Sequence, residues 1–242
     1  MMYTKKINLP NATLKIMFHV KRETEKEHIH CNDFLIVAGG RKPDAAWLSN
    51  VSIRKKVYCA DKGAAYCLDT GIIPDEIYGD CDSAAIDIYK KAELLGSKIY
   101  YFSPAKDDTD LMLLLNNLPE GNIIATGIWG GRFDHLYSNI YSLLSVKNKR
   151  QCQVVMADEK ELMLFMNDGE STEIKLNKTP KAVSILPLSS WVNVDISGVR
   201  WPLYKAELQQ LYPYAISNEV FNDNIFSCCC YSGSLGLYIH WQ

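Results

Sequence analysis

Residues 76–102 read EIYGDCDSAAIDIYKKAELLGSKIYYF. Glu76 to Tyr78 is a strand-type apolar run, closed by the turn-like Gly79-Asp-Cys-Asp-Ser. Ala84 to Leu95 then places apolar residues at 85, 88, 92 and 95, the spacing of one helix face. Lys98 to Phe102 returns to strand character. Strand, helix and strand in so short a stretch describe a parallel β-α-β unit, because the helix carries the chain back to the same end of the sheet.

The same rhythm extends in both directions. Strand-type runs recur at Phe34 to Ala38, Val57 to Ala60, Asn122 to Thr126 and Gln153 to Met156. Helix-like stretches lie at Leu111 to Leu118 and Leu136 to Val146. The pattern predicts a three-layer α/β/α domain with a mostly parallel sheet over residues 33–167. After Met166 the runs shorten: Glu173 to Leu176, Ala182 to Leu186, Val192 to Ile196, Ile225 to Tyr231 and Leu235 to Trp241, with Asn167-Asp-Gly, Ser197-Gly and Ser232-Gly between them. Residues 168–242 therefore read as an antiparallel β-sandwich or roll. Residues 1–32 include the charged run Lys21-Arg-Glu-Thr-Glu-Lys-Glu-His and read as an extension ahead of the main fold.

Composition narrows the function classes. The 242 residues carry 26 Lys plus Arg against 28 Asp plus Glu, a net charge of −2, which argues against a nucleic-acid binder. No apolar run approaches the roughly 18 residues of a membrane span. Residues 12–20 are broken by Lys15 and His19 and lack the pattern of a signal peptide. The expectation is a soluble cytoplasmic protein. The eight cysteines form no Cys-x-x-Cys pair. Cys228, Cys229 and Cys230 alternate faces if they lie in a strand, so they read as small reduced hydrophobes rather than a zinc site.

In a sheet of parallel strands, ligands bind beyond the carboxyl ends of the strands. The strand ends here are rich in glycine and charge. Val37-Ala-Gly-Gly-Arg-Lys offers backbone N–H groups at Gly39 and Gly40 and the cations Arg41 and Lys42 to an anion; an ordinary β-α turn is the alternative. Asp61 is either a helix N-cap for Lys62 to Leu68 or a ligand to a ribose hydroxyl or a metal-bound water. Asp80 and Asp82, two apart in an extended segment, point the same way, an arrangement that a cation between them would stabilise. Hard oxygen donors suit Mg²⁺; the alternative is a polar turn with Ser83 as a cap. Lys106-Asp-Asp-Thr-Asp-Leu holds more acids than one helix cap needs. There, Asp107 or Asp108 suits the cap, the remaining acids suit the same cation, and Lys106 suits phosphate. Thr126-Gly-Ile-Trp-Gly-Gly-Arg-Phe-Asp-His allows close backbone approach at Gly131 and offers the planar fork of Arg132 to phosphate. Asp134 is a candidate cap there, and a lone His135 reads more as a surface or capping residue than a base. Together these loops point to phosphate, a divalent cation and nucleotide chemistry.

Ala60-Asp-Lys-Gly-Ala, Gly79-Asp-Cys-Asp-Ser, Asp107-Asp-Thr-Asp-Leu and Gly131-Arg-Phe-Asp-His, in this order, resemble the thiamine pyrophosphokinase family. Gly198-Val-Arg-Trp-Pro-Leu and Ile216-Ser-Asn-Glu extend the resemblance into the β half. The resemblance implies transfer of a pyrophosphoryl group from ATP to the hydroxyethyl oxygen of thiamine, by a homodimer with active sites at its interface. It implies Mg²⁺ on Asp80, Asp82 and Asp110, with Asp61, Arg132 and Asp134 lining the ATP and catalytic region. It places Ser217 and Asn218, with Asp134, near thiamine. Asp134 or Asp107 would orient or deprotonate the alcohol; an aromatic face suits the thiazolium, and Trp201 or Trp129 could provide it, with core packing the alternative for either. The chain departs from the family pattern at Lys62 and Cys81, where Gly and Phe are usual. Lys62 adds a cation near phosphate. The competing readings are a metal-dependent nucleotide-sugar transferase, which leaves Asp-Asp-Thr-Asp unexplained, and a non-catalytic thiamine or nucleotide sensor. A haloacid-dehalogenase-type phosphatase fails because Ala84 stands where its motif needs Thr or Val.

Overall fold

The computed structural model describes residues 2–19, 33–80, 86–103, 108–150, 152–212, 214–221 and 224–241. In chain order, β1 (Met2–Asn8) and β2 (Ala12–His19) come first. Then follow β3 (Asp33–Val37), α1 (Ala45–Ser52), β4 (Lys56–Ala60), α2 (Gly63–Asp69), β5 (Glu76–Asp80), α3 (Ile86–Leu94) and β6 (Lys98–Phe102). The helical half closes with α4 (Asp110–Asn117), β7 (Asn122–Thr126), α5 (Phe133–Lys149) and β8 (Val154–Ala157). The remainder is strand: β9 (Glu161–Asn167), β10 (Glu170–Leu176), β11 (Ala182–Pro187), β12 (Trp191–Ser197), β13 (Leu203–Gln209), β14 (Ile225–Ser232) and β15 (Ser234–His240).

Two compact units result, His30–Asp158 and the pair of segments Met1–Ile29 with Glu159–Gln242. In the first, the strands run parallel in the order β8-β7-β3-β4-β5-β6. Central strands are buried on both faces, which is why their sequences are continuous apolar runs: β7 is buried at all its positions and β3 from Phe34 onward. The edge strand β6 keeps Tyr100 and Tyr101 exposed, with Tyr100 stacked on Tyr78. Helix α4 buries Leu111, Leu114 and Leu115, one face at helical spacing, and packs on β4 and β5. Helix α1 went unread in the sequence because it is short; Asp44 caps it by accepting from the Trp47 N–H at 2.9 Å.

In the second unit, β1-β2-β10-β14-β12-β13 run antiparallel, as do β11-β15-β9. Strands β9 and β15 lie against β10, β12 and β14, so the two sheets face each other as a sandwich. This unit differs from the sequence reading at two places. Residues 2–19, read as an extension, form a hairpin whose second strand pairs with β10, with Ala12, Leu14 and Ile16 fully buried. Strand β9, read with the preceding half, belongs here, and the division falls after Asp158 rather than at 167. The continuous apolar run Leu162 to Met166 resembles a parallel-sheet strand because β9 too is buried on both faces.

The cysteines of β14 alternate as expected: Cys228 and Cys230 are buried and Cys229 is half-buried. Burial pushes the Cys228 thiol up and raises Cys230 to about 12, so both behave as neutral hydrophobes. Among the described residues, no helix is long and apolar enough to cross a membrane.

Candidate active site

Three adjacent strands of the parallel sheet, β7, β3 and β4, release their loops side by side. Between these loops and the first turns of α4 and α5 lies a cavity of about 410 Å³. Its walls include Gly39 and Gly40 after β3, Asp61 and Lys62 after β4, and Gly131 and Arg132 after β7. Helix α4 adds Thr109 and Asp110, and α5 adds His135 and Asn139. The volume lies in the range of small-molecule and cofactor sites.

The local sequence dictates this arrangement. The start of α2 lies so close to β3 that a Cβ at Gly63 would stand 1.9 Å from the Val37 carbonyl oxygen, so only glycine fits. Asp61 takes a left-handed backbone, φ 51°, and its N–H donates to the Tyr78 carbonyl at 2.9 Å. A non-glycine residue in that conformation is uncommon and collects at functional sites. At Gly40 the need for glycine is again close approach, but between loops. Its N–H donates to Gly127 O at 2.6 Å, and the Arg41 N–H donates to Trp129 O at 2.6 Å. Those two N–H groups therefore join the loops to one another, whereas the sequence reading offered the Gly-Gly turn to an anion.

Of the residues selected from sequence, Gly39, Gly40, Asp61, Asp110, Gly131 and Arg132 meet at this one cavity. Asp82, Lys106 and Asp107 lie outside the described residues. Asp80 ends β5, half-buried, and is not among the described residues that line the cavity. Arg41 is engaged elsewhere: its Nε and Nη2 donate to Asp158 Oδ2 at 3.1 and 2.6 Å. Asp134 does not cap α5, whose N-cap is Arg132 without a side-chain bond. Instead its two carboxylate oxygens accept from Arg132 Nε at 3.1 Å and Nη2 at 2.5 Å. That hydrogen-bonded pairing holds the Asp134 carboxyl below the usual carboxylate range and raises Arg132. Asp61 is likewise no cap, since Lys62 holds the N-cap position of α2. The cap of α4 is Thr109, whose hydroxyl accepts from the Met112 N–H at 3.2 Å, rather than Asp107 or Asp108. That leaves Asp110 in the first helical turn, at the cavity.

Sequence reasoning set His135 aside and passed over Asn139. Both face the cavity because they stand four apart on α5, one turn after the glycine loop, and that spacing was the available signal. Arg132, at the N-cap of α5, makes no side-chain bond to the first turn, while the His135 N–H is bonded to the Asp134 carboxylate; a helix start is a favourable place for an anion.

Asp110 and Asp80 supply hard carboxylate oxygens, and α4 packs on β5, the strand that Asp80 ends. Such donors fit Mg²⁺. Among the described residues no group of three acids, histidines or cysteines gathers to hold a metal, and Asp82 stands outside them.

In the β unit, Trp201, Leu203, Tyr214, Ile216 and Asn218 border a smaller cavity of about 160 Å³. The Asn218 side chain grips the backbone of Trp201: Oδ1 accepts from its N–H at 3.0 Å and Nδ2 donates to its carbonyl at 2.7 Å. Asn218 thereby sets the position of a half-exposed indole, over which the Arg200 guanidinium lies at 4.9 Å. Ser217 takes a left-handed backbone, φ 60°, and its N–H donates to Ser184 Oγ.

Comparison with known proteins decides the family. Residues 49–156 match the family model "Thiamin pyrophosphokinase, catalytic domain", and residues 171–228 match "Thiamin pyrophosphokinase, vitamin B1 binding domain". The thiamine pyrophosphokinase of Bacillus subtilis is 30% identical over 192 residues, covering 77% of this chain and 89% of that protein. The chain belongs to the thiamin pyrophosphokinase family. Crystal structures of thiamin pyrophosphokinases bear out its α/β-plus-β architecture. The Bacillus subtilis structure superposes with a TM-score of 0.74 at 26% identity, covering 87% of this chain and 99% of that one. A Candida albicans thiamin pyrophosphokinase gives 0.72 at 18% identity over 87% and 90%, a likeness of fold. These matches do not favour the sugar-transferase or sensor alternatives. Asp61, Asp80, Asp110 and Arg132 fall within the stretch matched to the thiamin pyrophosphokinase catalytic domain, and Trp201, Ser217 and Asn218 within its B1-binding match.

Proposed function

We propose that the protein transfers a pyrophosphoryl group from ATP to the hydroxyethyl oxygen of thiamine, releasing AMP and thiamine diphosphate. The observation that carries this reading is the cavity at the ends of β7, β3 and β4. It joins carboxylates, cations and the start of a helix in a chain of this family. The thiamine hydroxyl oxygen attacks the β-phosphorus and gives up its proton to solvent, and the bond from that phosphorus to the α–β bridging oxygen breaks, so AMP departs with the oxygen. Such a transfer needs positioning and charge neutralisation more than covalent help. Lys62, Arg132 and the first turn of α5 would hold the polyphosphate. Asp134, kept ionised by Arg132, is a poor proton acceptor and would instead fix the guanidinium fork. Asp80, Asp82 and Asp110 would hold Mg²⁺, which when bound offsets charge on the transferred phosphates.

In the β unit, the Trp201 ring would receive the thiazolium cation on the face opposite Arg200. Ser217 and Asn218 would shape that subsite, with Asn218 acting through Trp201. The working form would be a homodimer with its active sites at the interface, by family likeness. We place it in the cytoplasm, in keeping with the free thiols of the described cysteines.

The test is AMP release from ATP and Mg²⁺ with thiamine or with thiamine monophosphate. The expected result is AMP with thiamine alone, because the monophosphate has no free hydroxyethyl oxygen. ADP as the nucleotide product, or AMP that appears regardless of thiamine, would overturn the assignment.

A further inference from the structure

The loop after β3 is fastened from two sides, by residues that the proposed chemistry does not use. On one side, Arg41 reaches past the end of β7 to Asp158, just beyond β8, so that one side chain spans three neighbouring strands. The Asp158 carboxylate is buried, its side chain 1% exposed, and a buried carboxylate needs such a partner. Arg41 also runs close beside the β7 loop, where a Cβ at Gly130 would stand 3.1 Å from the Arg41 Cβ. On the other side, the Tyr66 hydroxyl of α2 donates to Gly40 O at 2.8 Å. Lys42, the next residue after Arg41, pairs with Asp69 at 2.6 Å and lies over the Tyr66 ring at 5.9 Å. Between these tethers, Gly40 and Arg41 bond the β7 loop through their backbone N–H groups. Arg41 and Asp158 both lie outside the stretch 49–156 that matches the catalytic domain.

We propose that Asp158 and Tyr66 are positioning residues for the nucleotide cavity, and that Arg41 acts through the loop instead of touching phosphate. The inference rests on reading this cavity as the ATP site. Arg41, held by Asp158, is not among the described residues that line the cavity, whereas Lys62 and Arg132 line it and bring positive charge there, Arg132 with Asp134 on its fork. What Arg41 contributes is the placement of Gly39 and Gly40 as a fixed wall. A polyphosphate in the cavity that this wall and the β7 loop line together is sensitive to shifts of an ångström or less.

A double-mutant cycle decides between the two roles of Arg41. ATP affinity is measured by equilibrium binding, and KM and kcat by AMP release, for Arg41→Met, Asp158→Asn and the double variant. Each single change is expected to weaken ATP binding about tenfold. The double variant should be no weaker than the worse single, because the two residues act as one unit. The rise in KM for ATP should exceed the fall in kcat, KM for thiamine should stay unmoved, and the salt dependence of ATP binding should keep its wild-type slope. Tyr66→Phe, which removes one hydroxyl, should weaken ATP about threefold while lowering the melting temperature by no more than about 4 °C, and it carries the test if Asp158→Asn fails to fold. The proposal is overturned if Asp158→Asn binds ATP as well as wild type or better while Arg41→Met weakens binding and flattens its salt dependence. Wild-type binding of ATP without thiamine-dependent AMP would refute the proposed reaction yet leave this cycle decisive. A wild type that binds no ATP would refute both.

Discussion

Replacing Gly40 with alanine tests how tightly the β3 and β7 loops are joined. The new Cβ would stand 2.6 Å from Gly127 O and 2.7 Å from Trp129 O, both backbone atoms that cannot rotate aside. Bringing the closer approach out to an ordinary 3.4 Å parts the loops by about 0.8 Å. The Gly40–Gly127 and Arg41–Trp129 hydrogen bonds, each 2.6 Å, would then stretch to about 3.4 Å, beyond useful range. Losing two such bonds costs about 2 kcal/mol. In a chain of this size that lowers the melting temperature by about 4–8 °C. Since the same loops wall the cavity, KM for ATP should rise about tenfold alongside. The control is Gly39→Ala, whose Cβ meets the Asp61 carboxylate end at 3.1 Å, a group that can swing aside, and otherwise the Lys62 Cβ at 3.3 Å and Lys62 N at 3.4 Å, much milder approaches than those at Gly40. It should melt within about 2 °C of wild type. Thermal denaturation followed by circular dichroism, with AMP release at varied ATP, reads both effects. A Gly40→Ala protein that melts with wild type and keeps its KM would refute the idea that packing between the loops demands this glycine.

Other residues make separate predictions. Lys62→Gln should raise KM for ATP several-fold and reduce the salt dependence of binding by about one charge, while Lys62→Arg restores both; an unchanged KM would remove Lys62 from the phosphate site. Thr109→Ala should cost about 1 kcal/mol in a denaturation experiment through loss of the α4 cap, and no loss of stability would contradict the cap. The Asp134 carboxyl, titrated by NMR, should show a midpoint below that of an ordinary aspartate, and Arg132→Gln should raise it. Because the folded value is depressed, the pairing is fully present above the ordinary carboxylate range and is lost only as pH falls through the lowered value. The acidic limb of activity above about pH 5 should therefore not arise from Asp134, and a limb there that Asp134→Asn abolishes would contradict this.

The parallel half was readable because buried central strands are continuous apolar runs, and Lys98 to Phe102 and Asn122 to Thr126 have the bounds read from sequence. The cavity residues were readable because glycines and acids crowd the ends of those strands. What stayed hidden depends on distant partners. Arg41 looked like a phosphate ligand because Asp158 lies 117 residues along the chain. Gly40 looked like an anion cradle because nothing local shows that Gly127 O presses on it. The β1–β2 hairpin was obscured by the charged run that follows it and by the distance to β10, the strand that β2 joins. The acids ahead of α4 outshone Thr109, which has the smaller but better-placed acceptor. Those errors share one cause: local chemistry suggests what a side chain can do, and the fold decides which neighbour it meets.

Transfer from ATP labelled separately in its β- and γ-phosphates tests the central claim most directly. With Mg²⁺ and thiamine, both labels should appear together in thiamine diphosphate, one for one, with unlabelled AMP as the nucleotide product. Recovery of the γ-label alone in the thiamine product, with the β-label retained in ADP, would contradict the account.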